Sequence, residues 1–145
     1  MELHSLAFEH GGEIPALYTC DGEDISPPLE IGDVPAGTVS LALVMDDPDA
    51  PGATFDHWLV WNIPSHVTEI ASGTEPEGIQ GRTDFGRLGY GGPCPPSGTH
   101  RYRFKLYALD RLLDLPKGAR KSQLEKAMEG HILAEAVLQA NYSRQ

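Results

Sequence analysis

Three stretches of the chain carry side chains that can bind an ion or move a proton, and each lies where a strand or a rigid loop ends. The first is Asp46-Asp47-Pro48-Asp49-Ala50-Pro51, whose prolines exclude helix and hold the carboxylates of Asp47 and Asp49 on a stiff bend. The others are His57, at the beginning of a predicted strand, and His100, after a loop rich in Gly and Pro. Their convergence would make a small polar binding site.

Each of these features also has a simpler explanation. Asp and Pro are common turn residues, so the acidic run is what the end of a strand often looks like. A histidine at the start of a strand is usually packed or exposed without a further role, and Tyr102 is more typical of a core residue than of a ligand contact. A shared site is therefore a hypothesis that depends on the fold bringing the three stretches together.

Three predicted strands would position these side chains. Apolar residues dominate residues 38–45, which end at the acidic run, and residues 57–63, which begin at His57. The third strand covers residues 101–109, where Tyr102 shares a face with His100.

The alternation of side chains along these strands predicts which residues share a face. In the second strand it groups His57 with Leu59, Trp61 and Ile63. In the third strand the basic side chains alternate with the apolar ones and are expected to be solvated, namely Arg101, Arg103 and Lys105.

A helix is predicted near the C-terminus. Ser122-Gln123-Leu124-Glu125 fits a capping box, with Ser122 as N-cap, and apolar residues continue a rough helical period to about Ala140, with Gly130 as an interruption. Many short strands, frequent Gly and Pro, and one terminal helical segment together predict a mainly β protein, an antiparallel β-sandwich with a C-terminal helical segment.

Length and charge limit the class of protein. The 145 residues are expected to form a single domain over 1–145, because no flexible linker divides them. All 11 Lys and Arg residues lie from Arg82 onward, which gives a charge of −15 before that residue and +5 from it. The total of −10 argues against binding to nucleic acid, which depends on basic contacts to phosphates.

The sequence also predicts where the protein works. No apolar stretch approaches the roughly 18 residues of a membrane helix and no secretory signal is recognisable, so no membrane insertion and a cytoplasmic location are expected.

Cys20 and Cys94 match no metal-binding spacing. They can pair across the fold, but in a reducing cytosol two free thiols are the expectation unless the source is a hyperthermophile.

The three stretches resemble the phosphatidylethanolamine-binding protein family. The resemblance rests on Asp47-Pro48-Asp49-Ala50-Pro51, His57-Trp58-Leu59-Val60-Trp61-Asn62 and Gly92-Pro93-Cys94-Pro95-Pro96-Ser97-Gly98-Thr99-His100-Arg101-Tyr102. Further stretches resemble its prokaryotic, Raf-kinase-inhibitor-like branch, among them Tyr18-Thr19-Cys20-Asp21-Gly22 and Gly130-His131-Ile132-Leu133-Ala134. The match covers nearly the whole chain.

The resemblance implies a two-sheet antiparallel sandwich with a small anion pocket, which in relatives holds phosphate, acetate or a phosphorylethanolamine head group. By position, the pocket side chains carried over to this chain are Asp47, His57 and His100. The rim is expected to come from the backbone of Gly92, Pro93, Cys94 and Pro95, where Cys94 stands in place of a glycine found in animal relatives. Asp49 and Tyr102 complete the candidate ligand-binding residues, and no cofactor is implied.

The sequence therefore predicts a protein that is not an enzyme and that binds a small anionic or phosphorylated ligand. A protein kinase partner follows from family analogy alone, and a homodimer is an expectation from prokaryotic relatives. Two alternatives stay open: a phosphoester hydrolase that depends on a metal or a nucleophile, and an interaction module with a vestigial pocket.

Overall fold

In the computed structural model, which describes residues 1–144, the strands form two antiparallel sheets. The smaller sheet has the order β1-β2-β5 and the larger sheet has the order β6-β4-β3-β7-β8. In chain order the elements are β1 (Glu2–His4), a short 3-10 helix (Ala16–Tyr18), β2 (Leu29–Gly32), β3 (Ser40–Asp47), β4 (Phe55–Pro64), β5 (Glu69–Ile70), β6 (Ile79–Gln80), β7 (His100–Leu109), α1 (Lys121–Met128) and β8 (Ile132–Tyr142). The predicted β-sandwich is confirmed.

The large sheet buries apolar side chains on both of its faces. One face packs against the small sheet and forms the main core. The other face is covered by α1, where Leu124 and Met128 pack with Val44, Leu59 and Trp61 of the sheet. Because β3 is buried on both sides, its residues 41–45 read as an uninterrupted apolar run.

The predicted facing of β4 is wrong because the strand contains two irregularities. The pairing of β3 with β4 shifts between Met45 and Asp46, opposite His57, and again between Leu41 and Leu43, near Asn62. Asn62 has a φ of 55°, and its side chain is held by hydrogen bonds to the backbone of the loop before α1. An extra residue in a strand reverses the alternation beyond it. His57 therefore faces the side of Tyr102, whereas Leu59 and Trp61 face α1.

The basic side chains of β7 are not all solvated, which corrects the second facing prediction. Arg103 Nε lies 2.8 Å from Asp46 Oδ1, and Lys105 Nζ lies 3.1 Å from Asp46 Oδ2. Asp46 is fully buried under the start of α1, so these cations are drawn into the protein to pair with it. Arg101 remains more than half exposed.

The helical segment predicted near the C-terminus is confirmed only in its first part. The helix begins at Lys121 rather than after Ser122, since Arg120 is the N-cap and its backbone N–H donates to the side chain of Gln123. The chain leaves the helix at Gly130, and the following segment is β8, which pairs along its length with β7. Ala, Leu and Glu favour helix locally, but pairing with the sheet overrides that preference.

The expectation of free thiols is also corrected, because Cys20 and Cys94 form a disulfide. The bond joins the loop after the 3-10 helix to the loop that precedes β7, and it closes 74 residues of chain. Within the described part of the chain, no helix is both long enough and apolar enough to cross a membrane.

The disulfide is expected to stabilise the fold through the unfolded state. In the loop-closure model a bridge over 74 residues contributes about 4 kcal/mol. The double variant Cys20→Ser, Cys94→Ser should lose about 2–4 kcal/mol in free energy of unfolding, measured by urea denaturation under oxidising conditions. Reductant should lower the stability of the wild type toward that of the variant. If neither the double substitution nor reductant lowers the free energy of unfolding, the disulfide does not stabilise the fold.

Candidate functional site

A pocket of about 230 Å³ lies at one end of the three central strands of the large sheet, where β3 ends and β4 and β7 begin. Its polar lining consists of four side chains, Asp47, His57, His100 and Tyr102. The rest of its wall is apolar and comes from the loops, with Ala50, Pro51, Phe55, Phe85, Cys94, Pro95 and Pro96. The structure thus brings together the side chains that the three sequence stretches placed at strand ends.

Asp47 and His100 form a buried pair in the wall of the pocket. His100 Nδ1 lies 2.6 Å from Asp47 Oδ2, and the backbone N–H of Asp49 donates to Asp47 Oδ1 over 2.8 Å. A carboxylate only accepts hydrogen bonds, so Nδ1 of His100 carries a hydrogen. The ring nitrogen left for a ligand is therefore Nε2.

His57 has the same arrangement with a neutral partner. Its Nδ1 lies 2.7 Å from the carbonyl oxygen of Gly91, which can only accept, so Nδ1 again carries the hydrogen. Burial lowers the pKa of His57 below its ordinary value of 6.5, and the bond to Gly91 and the charge of Asp47 offset only part of that effect. At neutral pH His57 is uncharged and offers Nε2 as an acceptor.

Tyr102 completes the polar wall. Burial raises the pKa of its hydroxyl well above the ordinary value, and the charge of Asp47 and a hydrogen bond to that carboxylate act in the same direction. The ring meets His57 edge to face at 5.4 Å and stacks near His100 at 6.3 Å. Tyr102 thus separates the two imidazoles and remains a hydrogen-bond donor throughout the physiological pH range.

The rim of the pocket does not supply the backbone donors that were expected from Gly92, Pro93, Cys94 and Pro95. The N–H of Gly92 donates to Asp24, that of Cys94 to the hydroxyl of Tyr102, and the two prolines have none. Gly92 and Pro93 lie behind the lining, where a Cβ on Gly92 would collide with the carbonyl oxygen of Tyr18. Cys94 and Pro95 do reach the pocket.

Asp49 also lies outside the pocket lining. Its carboxylate accepts hydrogen bonds from Arg101 Nε at 3.0 Å, from the same guanidinium at 2.8 Å, and from the Arg101 backbone N–H at 2.8 Å. The side-chain bond and then the backbone bond lower the pKa of Asp49 to about 2. This pair joins the loop after β3 to the start of β7 and so holds Asp47 beside His100.

The sequence reasoning missed the aromatic wall formed by Phe55 and Phe85. Their rings lie 4.9 Å apart, and each meets the ring of His57 edge to face. Phe85 is carried by a loop and packs so closely on Gly91 that a Cβ there would collide with the ring. An aromatic residue between Asp84 and Gly86 in a polar loop was the available signal, because such a residue needs a surface to cover.

Comparisons with known proteins agree with this architecture. The sequence model described as "Phosphatidylethanolamine-binding protein" matches residues 4–143. A UPF0098 protein of Methanothermobacter thermautotrophicus is 53% identical over 150 residues, which covers 99% of both chains. A UPF0098 protein of Chlamydia muridarum is 44% identical over 149 residues, again covering 99% of both chains.

Two crystal structures share the fold along their whole length. A protein described as a homolog of phosphatidylethanolamine-binding protein, CT736 of Chlamydia trachomatis, superposes with a TM-score of 0.96 at 42% identity and covers 99% of this chain and 97% of its own. E. coli YbcL, described as a new member of the mammalian family, superposes with a TM-score of 0.92 at 32% identity. The match covers 99% of this chain and 98% of YbcL. The similarity includes the sandwich and is not confined to the short stretches.

The lowered pKa of His57 predicts an acid-sensitive contribution to stability. Because the unfolded chain binds a proton below about pH 6.5 more readily than buried His57 does, this contribution is present above that pH and is lost as the pH falls through the folded-state pKa. The free energy of unfolding of the wild type, relative to His57→Asn, should therefore fall on acidification by up to about 1.4 kcal/mol per pH unit.

Urea denaturation between pH 5 and 7.5 measures this difference. Asparagine keeps an N–H for the carbonyl of Gly91 but does not titrate. The exposed His66 provides the control, since His66→Asn should keep the pH dependence of the wild type. Parallel curves for the wild type and His57→Asn would show that burial does not disfavour the imidazolium.

Proposed function

Because the chain belongs to the phosphatidylethanolamine-binding protein family, we propose that its pocket binds small phosphorylated or other anionic ligands. The observation that carries this proposal is the buried hydrogen bond between Asp47 and His100, which fixes the ring with Nε2 as its free nitrogen. The carboxylate orients the imidazole so that Nε2 is the nitrogen available to a ligand. A protonated His100 would present an N–H to a phosphate or carboxylate oxygen.

The proposed binding is coupled to a proton because, among residues 1–144, no Lys or Arg lines the pocket. In their neutral forms His57 and His100 both have the hydrogen on Nδ1, so each offers only an acceptor at Nε2. An anion needs at least one hydrogen-bond donor in place of a Lys or Arg side chain. The proton must therefore come from His100, from His57 or from a ligand that is itself protonated.

The apolar wall sets the size and character of the ligand. A volume of about 230 Å³ accommodates a phosphate with a short organic group, and aromatic rings surround the side opposite Asp47. The Tyr102 hydroxyl donates to Asp47, and that carboxylate can also attract a cationic group on the same ligand. These features favour a small ligand over a polyanion, in keeping with a net charge of −10.

Binding is favoured over the hydrolase alternative by the state of the candidate groups. Cys94 has its sulfur in the disulfide, and in the described part of the chain no group of three His, Cys, Asp or Glu side chains is arranged to hold a metal ion. Regulation of a kinase and a homodimer stay as proposals by analogy with the family, and a cytoplasmic location stays a proposal drawn from the sequence.

Titration calorimetry with inorganic phosphate and with phosphorylethanolamine tests the proposed site. Wild-type protein should bind saturably, and His100→Ala should weaken binding at least about tenfold because it removes the Asp47-held imidazole. His131 provides a matched control, since its Nδ1 lies 2.9 Å from Asp110 in a second histidine–aspartate pair outside the pocket. Equal affinities for wild type and His100→Ala would refute the assignment of the site.

The pH dependence tests the proton coupling separately. The affinity for phosphate should weaken as the pH rises from 5.5 to 8, because an imidazolium donor is lost. Calorimetry in two buffers with different heats of ionisation should show net proton uptake on binding. A flat affinity with no proton exchange would mean that neither imidazole acts as a charged donor.

A further inference from the structure

We propose that Lys121 is a positioning residue for the pocket, which acts from the opposite face of the large sheet to hold His57 and His100 at their correct separation. This inference rests on the proposed binding function of the pocket. Lys121 touches no residue of the pocket lining; its contacts are with Asp46 and Asp56. Its influence would pass through the strands β3 and β4, which carry the binding side chains on their other face.

The geometry follows from alternation at the two strand ends. Asp46 and Asp56 are direct partners across β3 and β4, and both carboxylates face α1. The next residue on each strand, Asp47 or His57, faces the pocket instead. A change in the distance between Asp46 and Asp56 would therefore move the pocket residues that follow them.

Lys121 is the cation that joins the two carboxylates. Its Nζ lies 2.7 Å from Asp56 Oδ1 and 3.3 Å from Asp46 Oδ2. Arg103 and Lys105 pair with Asp46 alone. Among residues 1–144 no other Lys or Arg lies within ion-pair distance of Asp56. Without Lys121, the buried carboxylate of Asp46 and the partly buried carboxylate of Asp56 would stand directly opposite each other, and like charges in that arrangement destabilise a strand pair.

The position of Lys121 in its helix supports this role. Lys121 is the first residue of α1, the first turn contains no acidic side chain, and the N-cap is Arg120. Cations at a helix N-terminus are opposed by the helix dipole, so local preference does not explain them. Pairing with carboxylates of the sheet does explain Lys121, and departures from local rules concentrate at sites under another constraint.

The same end of α1 also reaches the aromatic wall. Arg120 donates to Asp84 Oδ1 over 2.7 Å, and Asp84 Oδ2 accepts the backbone N–H of Asp56 over 2.7 Å. The residue after Asp84 is Phe85, whose ring packs against His57. The start of α1 is thus connected to His57 through the strand and through the loop.

The protonation state of the two carboxylates provides a distinctive readout. Burial raises the pKa of Asp56, and the hydrogen bond and charge of Lys121 oppose that effect. Loss of Lys121 would raise the pKa of Asp56 further, so a proton would relieve the repulsion as the pH falls. The effect of losing Lys121 on the pocket should therefore be largest at high pH and smallest at low pH.

Other charged or titratable groups face this cluster from each element packed against it. They lie on β7, on α1 and the residue before it, and on the Phe85 loop, namely Arg103, Lys105, Tyr107, Arg120, Glu125 and Asp84. Arg103 and Lys105 remain paired with Asp46 when Lys121 is removed, so the change in charge falls mainly on Asp56.

The test compares Lys121→Met with Lys105→Met, a matched loss of one cation from the same cluster. The imidazole signals of His57 and His100 are recorded by nitrogen-15 NMR, and phosphate affinity is measured by calorimetry, both at pH 5.5 and 7.5. Lys121→Met should shift the His57 signals and weaken phosphate binding about tenfold at pH 7.5, with a smaller effect at pH 5.5. Lys105→Met should leave the His57 signals unchanged.

Two further variants separate charge from packing. Lys121→Arg keeps a cation for both carboxylates and should restore the signals and the affinity. The double variant Lys121→Met, Asp56→Asn removes both members of the ion pair and should also restore them. Should Lys121→Met not fold, Lys121→Gln replaces it and should show an intermediate shift of the His57 signals. The double variant then remains the expected rescue.

Each result decides the proposal. Unchanged His57 signals in folded Lys121→Met or Lys121→Gln would overturn the positioning role, as would equal shifts in Lys105→Met. A defect that neither Lys121→Arg nor the double variant repairs would also overturn it. If wild-type protein binds no phosphate, the proposed function fails, yet the imidazole signals still decide whether Lys121 positions His57.

Discussion

Two adjacent carboxylates, Asp46 and Asp47, are buried at the end of β3, and the site depends on each finding a partner on its own side of the sheet. Desolvating a carboxylate is costly unless it is paired, so two in succession impose a constraint on everything around them. On the α1 side, burial would raise the pKa of Asp46, but Arg103, Lys105 and Lys121 outweigh that effect and lower it. On the pocket side, Asp47 is satisfied by His100 and by the backbone of its own loop.

This division explains why the pocket lies where it does. Arg103, Lys105 and Lys121 pair with Asp46 on the α1 face, and among residues 1–144 no Lys or Arg lines the pocket on the other face. His57 faces the pocket beside Tyr102, and the irregularity in β4 lets Leu59 and Trp61 turn toward α1. A regular strand would have placed Leu59 and Trp61 on the same face as His57.

The sequence predicted the sandwich, and it named Asp47, His57, His100 and Tyr102, which the fold brings together, because strand ends and Pro-rich loops leave strong local patterns. It failed where distant contacts decide the outcome. Nothing near Ile132 shows that this segment pairs with β7, nothing near His57 shows the shift in register, and the bidentate contact of Asp49 with Arg101 joins residues 52 positions apart. The aromatic wall was missed for the same reason, since Phe85 gains its meaning from a ring that precedes it by 28 positions.

A pocket whose positive charge comes from protons differs in kind from a phosphate site built on arginine or on backbone N–H groups. In such sites the donors are fixed and the ligand adapts to them. Here Asp47 fixes the orientation of His100, whereas the donor itself exists only when a proton is present. If the pocket binds anions as proposed, the proton becomes part of what is recognised, and affinity follows the pH of the surroundings. The buried carboxylate of Asp47 serves this recognition by holding the ring in one orientation, with Nε2 as the nitrogen left for the ligand.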